Sequence, residues 1–243
     1  MKRVFSLVFA ILLSFSLFAC ASSAPQAAQA TQPAATEAPK AATAPPTEPP
    51  AATQDPNAVI PFDDEVLEGM IRAAMNKPDG DIAVADALSV TQLDLTMDGN
   101  DWSKPRIHSL DALRYFTNLT NLSMNWALQN GGKGIDLSPL SGLVKLEVLL
   151  FGSDEIYDIS ALKPLVNLKS LWVWGCSNLT DISALSEMTG MLDLWIKGDS
   201  IQDLSPIANM KNLERLYMEN NLVQDLSPLA GLTKLKSLLV SDN

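Results

Sequence analysis

Only two of the 243 residues are cysteine, one is histidine, and 17 basic residues stand against 28 acidic ones. Each shortage excludes something. A single histidine, His108, with no Cys/His cluster, leaves no zinc site of the usual ligand set, and none of G-x-S-x-G, H-E-x-x-H or a phosphate-binding loop occurs. The acidic balance argues against nucleic acid and against anionic lipid headgroups, both of which need a basic footprint. Few aromatic residues are present, at 6% of the chain, so where they cluster matters. No catalytic arrangement, cofactor site or metal site is expected.

The first residues read as an export signal. Lys2 and Arg3 precede an apolar run from Val4 to Ala19, interrupted only by Ser6, Ser14 and Ser16. That run is shorter than the roughly 20 residues a bilayer span needs, and it fits a secretory leader. It ends Leu17-Phe18-Ala19-Cys20, which resembles the lipobox of bacterial lipoproteins, with Phe18 an unusual occupant. The resemblance implies cleavage after residue 19 and lipidation of Cys20, hence anchoring to the outer face of a bacterial membrane. Residues 20–58 are almost wholly Ala, Pro, Thr, Gln and Ser, with no apolar side chain larger than Ala. Such a segment buries too little surface to offset ordering entropy, so a disordered tether of polyproline character is expected. Once the leader is removed, 15 basic residues face 28 acidic ones.

The remainder repeats itself about every 22 residues. Segments opening at Leu146, Leu168, Met191, Leu213 and Leu235 share the frame apolar-x-x-apolar-x-apolar. Four of them run on to Asp-Ile/Leu-Ser-Ala/Pro-Leu/Ile, as in Asp158-Ile159-Ser160-Ala161-Leu162 and Asp225-Leu226-Ser227-Pro228-Leu229. Self-similarity at this period means a solenoid whose coils share one core.

The frame and its Asp-Leu-Ser-Pro-Leu continuation resemble bacterial leucine-rich repeats of the internalin-like, 22-residue class. The resemblance covers about residues 90–243, some six repeats with the last incomplete. It implies an α/β solenoid: a right-handed superhelix with a concave parallel sheet and convex 3₁₀ or turn segments. Residues 59–89, with the acidic amphipathic run from Phe62, resemble the helical N-terminal cap of such proteins.

Alternation along each strand sends Leu149/Phe151, Leu171/Val173, Leu194/Ile196, Leu216/Met218 and Leu238/Val240 inward. Cys176, at the Asn/Cys position of its frame, is expected to be buried and to bond a backbone turn. Asp136, Asp158, Asp181, Asp203 and Asp225 each precede a serine by two residues, a pattern that caps turns rather than binds metal. Asp98 to Asp101 lacks calcium-loop spacing. Asp63 and Asp64 sit where a helix start needs a cap. The first two repeats carry insertions, between Leu95 and Ile107 and between Met124 and Asp136. The strand around Leu238 is expected to be an exposed edge and a route to self-association.

The outward positions hold the functional signal. Ser123, Leu150, Trp172, Trp195, Tyr217 and Leu239 form one column, with Trp126 and Trp174 beside it. Exposed apolar patches rich in Trp and Tyr mark binding surfaces. The expected site is therefore Trp126, Leu150, Trp172, Trp174, Trp195, Tyr217 and Leu239, within a polar rim of Glu147, Lys169, Asp193, Lys197, Glu214, Arg215, Glu219 and Lys236. Three readings stay open: a surface module binding a protein, as the resemblance implies; a module binding carbohydrate, whose sugar rings stack on aromatic platforms; and a passive, self-assembling surface component.

Overall fold

The structure, a computed structural model, describes residues 55–243 apart from Asn100 and Trp102. The leader, the lipidation expected at Cys20 and the tether as far as residue 54 lie outside the described residues.

Helix α1, Glu65–Ala74, opens on Asp64, whose carboxylate accepts the Leu67 N–H. Glu65 and Glu68 occupy its first turn and Arg72 its last, matching the helix dipole. Leu67 and Ile71, four residues apart, form its buried stripe. Asn76, at φ 52°, and Pro78 end it. Helix α2, Val84–Ser89, is one and a half turns long and buries Val84 and Ala87. Its start is held by Asp86, which accepts the Ala83 N–H at 2.8 Å and the Lys77 ammonium at 2.5 Å.

The last residues of the expected tether, from 55 on, meet α2. The N–H groups of Val84 and Ala85 donate to the carbonyls of Ala58 and Pro56. Residues from about 55 onward are therefore tied to α2 by backbone bonds, which a composition-based reading of side chains does not register.

Seven strands follow, in chain order across one parallel sheet: β1 Gln92–Asp94, β2 Asn121–Met124, β3 Val148–Phe151, β4 Ser170–Trp174, β5 Asp193–Lys197, β6 Arg215–Tyr217 and β7 Ser237–Leu239. Each strand pairs with the next. Return segments carry single 3₁₀ turns at Asp111–Tyr115, Ser138–Leu140, Ser160–Leu162, Ser183–Leu185, Ser205–Ile207 and Ser227–Gly231. Pro139, Pro206 and Pro228 open three of them, where a missing N–H is harmless.

The Asp/Ser column builds these turns. The N–H groups of Ser138, Ser160, Ser183, Ser205 and Ser227 each donate to the carboxylate two residues earlier, at 2.7–2.8 Å. In four of the five the serine hydroxyl donates to the second oxygen as well. The backbone N–H of Ser205, then its hydroxyl, hold the Asp203 carboxyl below its ordinary value, and Ser227 does the same to Asp225. Such groups stabilise the fold above the ordinary carboxylate range and cease to as pH falls through their lowered values. Thermal melts should therefore weaken below about pH 4. A melting temperature that keeps rising down to pH 2 would contradict this capping role.

The core is one continuous stack. Leu149, Phe151, Leu171, Val173, Leu194, Ile196, Leu216 and Met218 are fully buried, in register from coil to coil. On β7 the same frame positions fare differently. Leu238 is 40% exposed and Val240 half-buried, because β6 flanks β7 on one side only among the described residues.

A staple joins cap and repeats. Asp64 is buried, and its second oxygen accepts the backbone N–H groups of His108 (2.6 Å) and Ser109 (3.0 Å), with the His108 imidazole Nδ1 2.7 Å from the same oxygen. The His108 side chain is half-exposed, yet its backbone is anchored to the cap.

Candidate functional site: an aromatic ladder on the sheet

Alternation fixes which side chains leave the core, and sheet register fixes how they line up. Ser123, Leu150, Trp172, Trp195, Tyr217 and Leu239 pair in unbroken succession across β2 to β7. Leu150, Trp172, Trp195 and Tyr217 are half-buried and Leu239 is exposed. Strands about 4.8 Å apart bring neighbouring rings into van der Waals contact. The Trp172 and Trp195 indoles stack at 4.0 Å between centroids with 12° between planes. The Tyr217 ring follows at 4.3 Å, tilted by 41°. Its hydroxyl accepts a hydrogen bond from Ser237 Oγ at 3.2 Å, fixing the ring against β7.

Trp126 and Trp174 form a separate pair. Trp174 closes β4, whereas Trp126 lies beyond β2 in a turn, at φ 60°. They are thus not one strand column: Trp126 reaches Trp174 because its backbone turns out of the sheet. The rings meet edge to face at 4.0 Å. Trp174 Nε1 donates to Asn125 Oδ1 at 3.0 Å. Two glycines seat these indoles. A Cβ on Gly152 would stand 2.6 Å from Trp174 Cδ2, and one on Gly99 would stand 2.7 Å from Trp126 Cδ2. A glycine one strand from a tryptophan is the sequence signal for this seating. A shallow groove of about 270 Å³, lined by Leu128, Gln129 and Glu155 among others, runs beside the pair.

The eight rim charges pair completely. Glu147 bonds Lys169 (2.8 Å), Lys197 bonds Glu219 (3.1 Å), Glu214 bonds Lys236 (2.9 Å), and Asp193 takes Arg215 through both carboxylate oxygens. The Lys236 bond holds the Glu214 carboxyl below its ordinary value, and the Asp193 bond raises the Arg215 guanidinium. Exposed pairs like these add little stability. Their consequence is local: the flanks of the ladder carry no net charge although the molecule is strongly acidic.

Cys176 is fully buried, and burial, followed by the Asp199 charge, pushes its thiol up to about 12. A neutral, enclosed thiol is not a nucleophile.

No family model and no curated protein matches the chain. Solved structures do. An internalin (inlF) from Listeria monocytogenes is 32% identical, with a TM-score of 0.55 over 75% of this chain and 57% of that one. The fold is a leucine-rich-repeat solenoid. Internalin C2 of the same organism is 26% identical, with a TM-score of 0.52 over 75% of this chain and 85% of that one. The leucine-rich-repeat domain of the type III effector XopL, at 20% identity and a TM-score of 0.50, covers 65% of this chain and 55% of its own, and shares the fold alone. The solenoid described here thus spans a little over half of the inlF structure it matches.

Proposed function

We propose that this chain is a non-enzymatic binding module, exported and lipid-anchored through Cys20 on the outer face of a bacterial membrane, that recognises a protein partner through the ladder of Trp172, Trp195 and Tyr217, with Leu150, Leu239, Trp126 and Trp174 extending the contact surface. The carrying observation is the stacked, in-register ladder between charge-neutral flanks. Half-buried aromatic side chains, already immobilised by their neighbours, lose little entropy on binding and supply large contact areas. The likeness to internalins supports a protein-interaction role.

Ring orientation favours protein over carbohydrate. Sugars stack on an open ring face, but Trp172 and Trp195 turn their faces to each other and their edges to water. Indole edges carry the positive end of the ring quadrupole and the N–H donor. They suit backbone carbonyls, carboxylates and the faces of a partner's aromatic rings. Neutral flanks add a second expectation, that binding depends only weakly on salt.

The test is the double substitution Trp172→Ala and Trp195→Ala, in affinity capture from candidate partner surfaces run beside a glycan array. The pair should cost about 1–2 kcal/mol of stability, the stacking and partial burial it removes, while captured protein falls at least tenfold. Capture unchanged by the double variant, or a glycan signal that the variant abolishes, would overturn the protein reading.

A further inference from the structure

The ninth position of the frame plays no part in the ladder: in the Leu146 frame it is Asp154, exposed, but in the coils of β4, β5 and β6 it turns inward. Frames opening at Leu168, Met191, Leu213 and Leu235 place Cys176, Asp199, Asn221 and Asn243 there. The two asparagines show what the position demands. Asn221 donates through Nδ2 to the carbonyls of Ile196 (2.5 Å) and Met218 (3.2 Å), and its Oδ1 accepts the Ile201 N–H at 3.0 Å. Asn243 donates to the carbonyls of Met218 (2.8 Å) and Val240 (2.9 Å), and its Oδ1 accepts the Val223 N–H. Each amide thus links the strand carbonyl of its own coil to that of the coil before, donor on one side and acceptor on the other.

Asp199 occupies the same place with the wrong inventory. Its residue is 6% exposed, its Oδ1 accepts the Cys176 N–H at 2.8 Å, and its Oδ2 is buried with no hydrogen-bond partner. By frame position, the carbonyls of Val173 and Ile196, paired across β4 and β5, correspond for Asp199 to those of Ile196 and Met218 that Asn221 reaches. Asp199 Oδ1, however, takes the Cys176 N–H where the asparagine oxygens take an N–H two residues further on. An ionised carboxylate has only lone pairs to offer carbonyl oxygens. A protonated one has a single O–H donor and restores half of what the asparagine amide provides.

We propose that the folded solenoid holds Asp199 as the neutral carboxylic acid, its Oδ2–H standing in for the asparagine amide, so that the stack is tightest while this proton is held and loosens when it leaves. Burial supports the assignment, pushing the carboxyl up to about 7 while the Cys176 N–H pulls the other way. Charges on the packed elements do not compete for it. From the β4 coil comes Cys176, a neutral thiol throughout this range. Asp199's own coil contributes Lys197, engaged by Glu219 of the next coil, which otherwise presents the uncharged Asn221. Asp154, exposed, is two coils back. Among the described residues no lysine, arginine or histidine pairs with Asp199.

The direction follows from linkage. The unfolded chain releases this proton in the ordinary carboxylate range and the folded chain holds it until about 7. Stability from this group is therefore complete below about pH 4, declines between about 4 and 7, and is level above, with the folded-to-unfolded ratio falling by up to roughly tenfold per pH unit inside that window. Urea unfolding of the full chain and of Asp199→Asn from pH 5 to 8 tests it. The wild-type midpoint should fall relative to the variant's as pH rises, with the variant the more stable at pH 8. Parallel curves overturn the proposal. Should Asp199→Asn fail to fold, the Asp199 carboxyl ¹³C resonance of the wild-type chain decides. A titration midpoint above about 5.5, well past the ordinary carboxylate value, supports the neutral acid, and one below overturns it.

Discussion

Truncating Leu194 to alanine is expected to lower unfolding free energy by about 2–5 kcal/mol, the range for buried leucines whose surroundings cannot collapse. Leu194 is fully buried on β5, in register with Leu171 on one side and Leu216 on the other. To fill the void, two neighbouring strands would have to close on it while keeping their own hydrogen bonds to β5. The same substitution at Leu238, the equivalent frame position on β7, meets a side chain already 40% exposed and, among the described residues, flanked by β6 alone. It should cost under about 1 kcal/mol, since little is removed from an existing interior. Chemical denaturation of the two variants compares identical chemistry at two depths. Because each coil is held mainly by its neighbours, Leu194→Ala should also broaden the transition, as the coils on either side begin to unfold separately. A loss below 1 kcal/mol at Leu194, or equal losses at both positions, would remove the continuous core from the account.

The period of the sequence made the solenoid legible, because every coil repeats the same decision about which residues enter the core. The inward pairs, the in-register outward column and the Asp/Ser turn caps all follow from that repetition. What escaped depends on one residue at a time. Alternation says that Trp172 and Trp195 leave the core, but not that their faces meet at 12°. Trp126 departs from its strand through a left-handed residue, which no hydropathy pattern signals. The pairing of all eight rim charges needs the strand register, although residues 22 apart of opposite sign hinted at it. Arg106 sits in the first insertion, buried, with its guanidinium donating to the carbonyls of Asp98, Asp101 and Trp126. A basic residue in a polar loop gives no sign of such an anchor. Asp199 was only half within reach: aligning the frames to their ninth position sets it beside Cys176, Asn221 and Asn243, but also beside Asp154, and only burial separates the two acids.

Replacing Asp64 with alanine is expected to cost about 3–5 kcal/mol, from several buried donors each losing a partner worth 1–3 kcal/mol. One carboxylate there meets four groups. Oδ1 caps α1 through the Leu67 N–H, and Oδ2 accepts two consecutive backbone N–H groups from a segment 44 residues later and lies against its imidazole. Helix α1 is only 10 residues long, too short to persist without its packing. Loss of the staple therefore exposes Leu67 and Ile71 along with the end of the repeat core beneath them. Asp64→Asn should fall between wild type and Asp64→Ala: its amide oxygen still serves one side, while its NH₂ faces donors instead of acceptors. Asp63, adjacent but exposed, should tolerate alanine with a change under about 0.5 kcal/mol. Hydrogen exchange read over α1 locates the effect. In Asp64→Ala the amides of Leu67 to Ile71 should exchange at rates far above those of β4 and β5, whose protection should drop much less. Protection lost equally across all coils would mean that the cap does not open on its own, and that Asp64 supports the solenoid as a whole instead of fastening a lid to its end.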